Sequence, residues 1–272
     1  MSVTAAQGFR AAGVRAGLKA SGKPDLALVV NDGPLDTAAG VFTTNRVVAA
    51  PVVWSRRLLA GQEGGQRGHA RAVVLNSGSA NACTGAQGMH DTEATATRTA
   101  GLLGAEPGQI LVCSTGVIGE RIDMPVLLEG IDVAALALAD TPQAGTDAAT
   151  AIMTTDTVSK EDTLTVGTGA QSWTIGGMIK GVGMLAPGMA TMLAVITTDA
   201  VLTPQQAQDA LASATTRTVN RINSDGCMST NDTVLLLASG ASGARPSPAE
   251  LGGALTELLA RLPVFLAGQE PA

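Results

Sequence analysis

Tyrosine is missing from the 272 residues, and aromatic side chains of every kind make up only 2% of them. Packing must therefore rest on Ala, Val, Leu, Ile and Met, and a 45% hydrophobic content is enough for a sizeable core in one or two domains. Cysteine is scarce as well. Cys83, Cys113 and Cys227 are odd in number, far apart and without a CxxC spacing. That excludes a disulfide framework and predicts reduced, mostly buried thiols in a cytoplasmic protein. His69 and His90 are the only histidines, and neither stands at a metal-ligand spacing, so no metal is expected. No basic block interrupts a net charge of −6, which speaks against nucleic acid as a partner. No apolar run is long enough for a bilayer, so no membrane partner is expected either. An acidic whole still permits a local cationic pocket. Acids are absent from the first 24 residues, which carry Arg10, Arg15, Lys19 and Lys23, a composition shared with transit peptides.

Glycine is plentiful, at 33 residues, and points to turns and strands more than to a helical bundle. Short strands are expected at Asp25 to Asn31, Gly40 to Thr44, Pro51 to Trp54, Arg71 to Leu75 and Gln109 to Cys113. A flexible loop is expected at Gly61 to Gly68. The polar segment NSGSANACTG, Asn76 to Gly85, reads as a loop, with Asp91 capping a helix over Thr92 to Leu103. STGVIG, Ser114 to Gly119, reads as a turn after a strand. Helices are expected over Met124 to Leu138 and Pro142 to Met153, each with proline in its first turn. Thr163 to Gly167 and Ser172 to Gly177 form a hairpin. Thr203 and Gln206 make a capping box for a helix running to about Val219. SDGCMSTNDTVLLLAS, Ser224 to Ser239, gives a turn and a buried strand, and Ser247 to Glu250 opens a last amphipathic helix.

One stretch concentrates the chemistry. GGMIKGVGMLAPGMATMLAVITTDA, Gly176 to Ala200, begins with glycine and methionine around a single cation, Lys180. Pro187 and Gly188 punctuate it, and from Thr191 it turns apolar and β-branched, as a buried strand would. Thr191 thus stands at a junction, behind the small Ala190. A threonine hydroxyl needs an adjacent base, and a chain N-terminus supplies its own α-amine. That amine titrates near pH 8. The Ala190–Thr191 bond must break first, by acyl transfer to the hydroxyl and hydrolysis of the resulting ester. The bland alternative is a glycine loop entering a strand whose first threonine merely caps or packs.

KGVGMLAPGMATML, with ITTDA downstream, resembles the self-processing segment of the ornithine acetyltransferase family, the bifunctional glutamate N-acetyltransferases of arginine biosynthesis. The likeness runs from about Phe9 to Ser239. It includes GFRAAGVRAGLKASGKPDLALV, which therefore reads as mature sequence, and FTTN near Asn45, to which no chemistry attaches. The resemblance implies a layered α/β sandwich with an α chain of residues 1–190. A shortened β chain, 191–272, would begin with the nucleophile. It implies an oxyanion hole at Thr115 and Gly116, substrate contacts from Thr154 (in MTTDT, beside Thr155) and Lys180, and no organic cofactor. Acetyl would pass from N2-acetylornithine to glutamate through an acetyl ester of Thr191, with acetyl-CoA as a further donor, in a heterotetramer of two α and two β chains. Family members continue beyond the matched region with an acidic-glycine segment and a DPNWGR-like word, and the tail LPVFLAGQEPA does not resemble them, so the chain reads as truncated. Two further readings stand beside this one: a self-processing N-terminal-nucleophile hydrolase or aminopeptidase, and a catalytically inactive fragment.

Overall fold

The computed structural model describes residues 2–181, 192–222 and 227–262, apart from the side chain of Ala170. The elements in chain order are β1 (Phe9–Val14), β2 (Leu26–Asn31), β3 (Thr37–Phe42), α1 (Ala50–Leu59), β4 (Ala72–Ser79), α2 (Gly85–Leu103), β5 (Ile110–Val117), α3 (Met124–Leu136) and α4 (Pro142–Ala151). They continue with β6 (Lys160–Val166), β7 (Trp173–Lys180), β8 (Leu193–Thr198), α5 (Pro204–Arg217), β9 (Thr233–Ala238) and α6 (Pro248–Arg261). The strands form two sheets, ordered β1-β2-β4-β5 and β3-β9-β8-β7-β6. Strand alternation builds the layers. From the second sheet, Met178, Leu193, Val195, Leu235 and Leu237 pack in one core with the first sheet and helices α1 to α4. Ile175, Ile179, Ala194, Ile196, Val234 and Leu236 point the other way and pack on α5 and α6. The result is the expected layered α/β sandwich.

Most predicted elements are present, with informative exceptions. Pro51 to Trp54 is not a strand but the first part of α1. Pro51, Trp54, Ser55 and Leu58 are its buried face, spaced as a helix requires, and a four-residue apolar run cannot reveal that period. Trp54 Nε1 donates to the Ile110 carbonyl at 2.9 Å, and Ser55 Oγ to that of Val112 at 2.8 Å, fixing α1 on β5. The strand expected at Gly40 to Thr44 lies earlier, at Thr37–Phe42. Asp91 does not cap α2, which starts seven or so residues sooner behind Thr84. Asp91 is instead a buried helical residue whose carboxylate takes Arg121 Nη2 at 3.0 Å and Nε at 3.2 Å.

The polar words after two buried strands also belong to the strands. Asn76 to Ser79 ends β4 and Ser114 to Val117 ends β5, because the parallel pairing continues through Asn76↔Ser114 to Ser79↔Val117. Pairing with a neighbour outweighs the low β propensity of Asn, Ser and Gly here. Helix α5 stops at Arg217, and Val219–Arg221 forms a separate turn of 3-10 helix. Of the cysteines only Cys113 is buried, while Cys83 and Cys227 are exposed, so the expectation of mostly buried thiols fails. Among the described residues no helix is long and apolar enough to cross a membrane.

Candidate active site

The register of the second sheet places a row of residues at one end. Lys180 pairs with Leu193 across β7 and β8, and Leu193 with Thr233 across β8 and β9. Lys180 therefore stands beside the first residues of β8 and level with the start of β9, which Asp232 precedes. Its side chain leaves the sheet on the same face as Met178, toward the first sheet. There it is 2% exposed, and its Nζ donates to Thr115 Oγ1 at 3.2 Å. Two of the predicted site residues, 65 positions apart, are thus in direct contact. With the ammonium donating to the oxygen, the Thr115 hydroxyl keeps its own proton for another acceptor.

Gly116, next to Thr115, has φ +134, and an added Cβ would lie 2.3 Å from the Gly78 carbonyl carbon opposite it in β4. Glycine at 116 is thus required by backbone packing, whatever else it does. Gly116→Ala is expected to destabilise by on the order of 3 kcal/mol or more, combining backbone strain and overpacking. Thermal unfolding checks this, and it means that lost activity in that variant reports folding before it reports catalysis.

Thr154 sits in the exposed turn after α4. Its backbone N–H donates to Asp156 Oδ2 at 3.2 Å. Asp156 Oδ1 accepts Lys160 Nζ at 2.5 Å and the Gly181 N–H at 2.8 Å. The Thr154 turn is thereby tied to the residue that follows Lys180. Ala190 and Thr191 lie outside the described residues. The chain re-enters them at Met192, whose N–H donates to Asp232 Oδ1 at 3.0 Å. The Asp232 side chain is fully buried.

Four buried charges share this end of the sandwich. Burial pushes Lys180 down to about 8, with Lys160 and Lys19 adding to the effect and Asp156 and Asp232 opposing it. Burial pushes Asp232 up to about 7, although the Met192 N–H and the Lys180 charge favour its carboxylate. Burial also works against ionised Asp156. There the bonds from Lys160 and Gly181 and the two lysine charges outweigh it, so its carboxyl stays below the usual range. Groups displaced in this way cluster where proton transfer or anion binding occurs.

Asp156, Lys160 and Asp232 carry no signal of this role in the sequence. Asp156 lies two positions past Thr154 inside MTTDT, a lone acid among three threonines. Asp232 lies in STNDTV, which reads simply as the approach to a strand. The adjacent Asn231 fits a glycosylation sequon, but its side chain is buried and its Nδ2 donates to the carbonyls of Ala80 at 2.6 Å and Ser114 at 2.8 Å. It joins the loop after β4 and the end of β5 to the start of β9, which brings part of NSGSANACTG to the edge of the candidate site. FTTN also finds a role. Thr43 N–H donates to the Asp232 carbonyl at 2.9 Å, and Asn45 Nδ2 to that of Met228 at 3.1 Å, so this word holds the segment carrying Asp232. Among the described residues no group of three or more His, Cys, Asp or Glu is placed to hold a metal. A cleft of about 800 Å³ beside β3, lined by Arg56, Arg67 and Gln208, contains none of these site residues.

The layered arrangement is that of the Ntn-type folds. The L-aminopeptidase D-Ala-esterase/amidase of Ochrobactrum anthropi, described as a variant of the Ntn hydrolase fold, superposes with a TM-score of 0.56 over 97% of this chain and 86% of that one. At 12% identity that is a likeness of fold alone. The chain belongs to the ArgJ family, whose model matches residues 10–268. The arginine biosynthesis bifunctional protein ArgJ of Bifidobacterium longum is 59% identical over 263 residues, covering 96% of this chain and 65% of that protein. The crystal structure of ornithine acetyltransferase complexed with ornithine from Mycobacterium tuberculosis is 48% identical, with a TM-score of 0.64 over 71% of this chain and 96% of that one. The chain spans 61% to 65% of the length of the curated relatives it matches.

Proposed function

We propose that this chain carries the self-processing and acetyl-transfer centre of an N-acetyltransferase that moves acetyl from N2-acetylornithine to glutamate. Family membership and the Lys180–Thr115 contact beside the entry to β8 support this reading, and the contact is the observation that carries it. In the first step the Thr191 hydroxyl attacks the Ala190 carbonyl carbon. The C–N bond breaks, the acyl group passes to oxygen, and the nitrogen becomes a free α-amine. Water hydrolyses that ester, leaving Ala190 with a carboxylate and Thr191 as a new N-terminus. Residues 1–190 and 191–272 then form an α and a β chain. They stay joined because β7 and β8 are antiparallel neighbours from Ile175↔Thr198 to Lys180↔Leu193.

In transfer, the Thr191 hydroxyl attacks the acetyl carbonyl while its amine accepts the proton. The Thr115 hydroxyl, with the Gly116 N–H, donates to the developing oxyanion. Collapse expels the ornithine amine, which takes up the proton. The glutamate amine then attacks the acetyl ester and regenerates the hydroxyl. Lys180 offers its charge to the substrate carboxylate, and Thr154 is a further contact to the amino acid. Acetyl-CoA is a second donor for the same ester. Incubation of the purified chain with N2-acetylornithine, with and without glutamate, tests this. N-acetylglutamate should form only when glutamate is present. Free acetate at equal rates in both samples would instead indicate a hydrolase that uses water as the acceptor.

A further inference from the structure

The ion pair of Asp156 and Lys160 is 1% exposed on both side chains, and an isolated pair so deep is poor evidence of a stabilising role, since desolvation offsets the attraction. Its hydrogen bonds are directed almost entirely at backbone. Asp156 Oδ1 accepts the Gly181 N–H at 2.8 Å, and Lys160 Nζ donates to the Gly181 carbonyl at 2.9 Å. Both polar groups of one peptide residue are thus held by the two members of one pair. The remaining oxygen, Asp156 Oδ2, takes the Thr154 N–H at 3.2 Å.

Gly181 is where the sheet ladder gives out. The last β7–β8 rung is Lys180↔Leu193, and Gly181 turns away at φ +145. Beyond this point its N–H and C=O would have no strand partner, and an unpaired buried peptide group is costly. The ion pair replaces the ladder at Gly181. Because the same carboxylate holds Thr154, two segments 27 positions apart in sequence (181 − 154) move together.

We infer that Asp156 and Lys160 are a positioning pair that locks the Thr154 turn to the Gly181 peptide, so that Thr154, Lys180 and Gly181 form one rigid unit. The consequence for self-cleavage rests on the function proposed above, whereas the locking does not. Neither side chain touches the reacting atoms in this account.

The decisive variant is Asp156→Ala with Lys160→Met, which removes the acceptors without leaving a lone buried charge; Lys160→Met alone keeps both Asp156 oxygens in place. Amide hydrogen exchange on the folded chains should show Gly181 and Thr154 losing protection together, at least tenfold, in the double variant, while Ile179 in β7 keeps its own. Wild-type protection at both amides, or loss at only one, would overturn the inference, and this result is independent of whether the chain processes itself. The second measurement is the rate of cleavage at Ala190–Thr191 by intact mass, expected to fall at least tenfold in the double variant at a temperature where thermal unfolding shows it fully folded. Cleavage at the wild-type rate with both amides deprotected would overturn the part of the inference that ties the lock to self-cleavage. Failure of the wild type to cleave would instead count against the proposed function and leave the exchange result to decide the locking.

Discussion

Thr191→Ala yields a single uncut chain and no acetyl transfer. The substitution removes the only group able both to accept the Ala190 acyl group and, once freed, to carry acetyl. Self-cleavage should fall below detection, and transfer should drop by roughly 10⁴-fold or more, the scale on which loss of a covalent nucleophile acts. The fold should survive, because the strand that follows is fixed by residues after position 191. Met192 is held by Asp232, and Leu193–Thr198 is buried throughout and paired on both sides. Thr191→Ser keeps a hydroxyl and should retain slow cleavage. Intact mass, thermal unfolding and a transfer assay on the same samples separate the outcomes. Normal cleavage or normal transfer in Thr191→Ala would remove this residue from the mechanism.

Lys180→Met should weaken substrate binding while leaving the protein at least as stable as the wild type. A hydrogen bond to a charged group contributes roughly 1.5–3 kcal/mol, so loss of the ammonium should raise KM about tenfold to a hundredfold. Stability moves the other way. The folded-state pKa of Lys180 is lowered, to about 8. The folded state therefore binds this proton less tightly than the unfolded chain does. Below pH 8 the buried ammonium is a cost; between 8 and 10.5 the unfolded chain holds a proton that the folded state has released, so this group makes stability rise with pH. Lys180→Met should lack that rise. The charge on which carboxylate binding depends disappears over the same range, so wild-type KM should increase above pH 8 while that of the variant stays flat. Asp232 contributes in the opposite sense. Its folded pKa is raised to about 7, so its stabilising contribution is complete below about pH 4 and is lost as pH rises through 7. Denaturant unfolding from pH 5 to 10, paired with steady-state kinetics, checks both signs. A KM for Lys180→Met that equals the wild type at pH 7 would end the role given to this lysine.

Much of the architecture was legible in the chain because it depends on local rules. Proline in the first turn and a side-chain acceptor at the cap started α3, α4, α5 and α6 where expected. Continuous apolar runs marked β2, β8 and β9, which are buried on both faces. Local rules failed where a neighbour decided the outcome. Ala50–Leu59 became a helix because Trp54 and Ser55 found carbonyls on β5. Asn76–Ser79 and Ser114–Val117 became strand because each pairs with the other. Asp91 is interior to a helix because Arg121, 30 residues away, neutralises it.

The candidate site divides along the same line. Thr191, Lys180, Thr115 and Gly116 stand out as words in the sequence, since a hydroxyl at a glycine-to-strand junction, a lone lysine among glycines and a Thr–Gly pair after a strand each mark a type of chemistry. Composition also fixed the core as aliphatic and the sandwich as rich in strands and turns. Folding alone decided that Lys180 reaches Thr115 across the two sheets, that Asp232 grips Met192, and that Asp156 and Lys160 hold Gly181 and Thr154. Apart from the local Thr154–Asp156 bond, those pairings join residues 21 to 65 positions apart (181 − 160; 180 − 115), and groups so far apart meet only when the strands that carry them become neighbours. Burial, which shifts Lys180 and Asp232 toward neutral pH, is a property of the packed sheets and of no single segment.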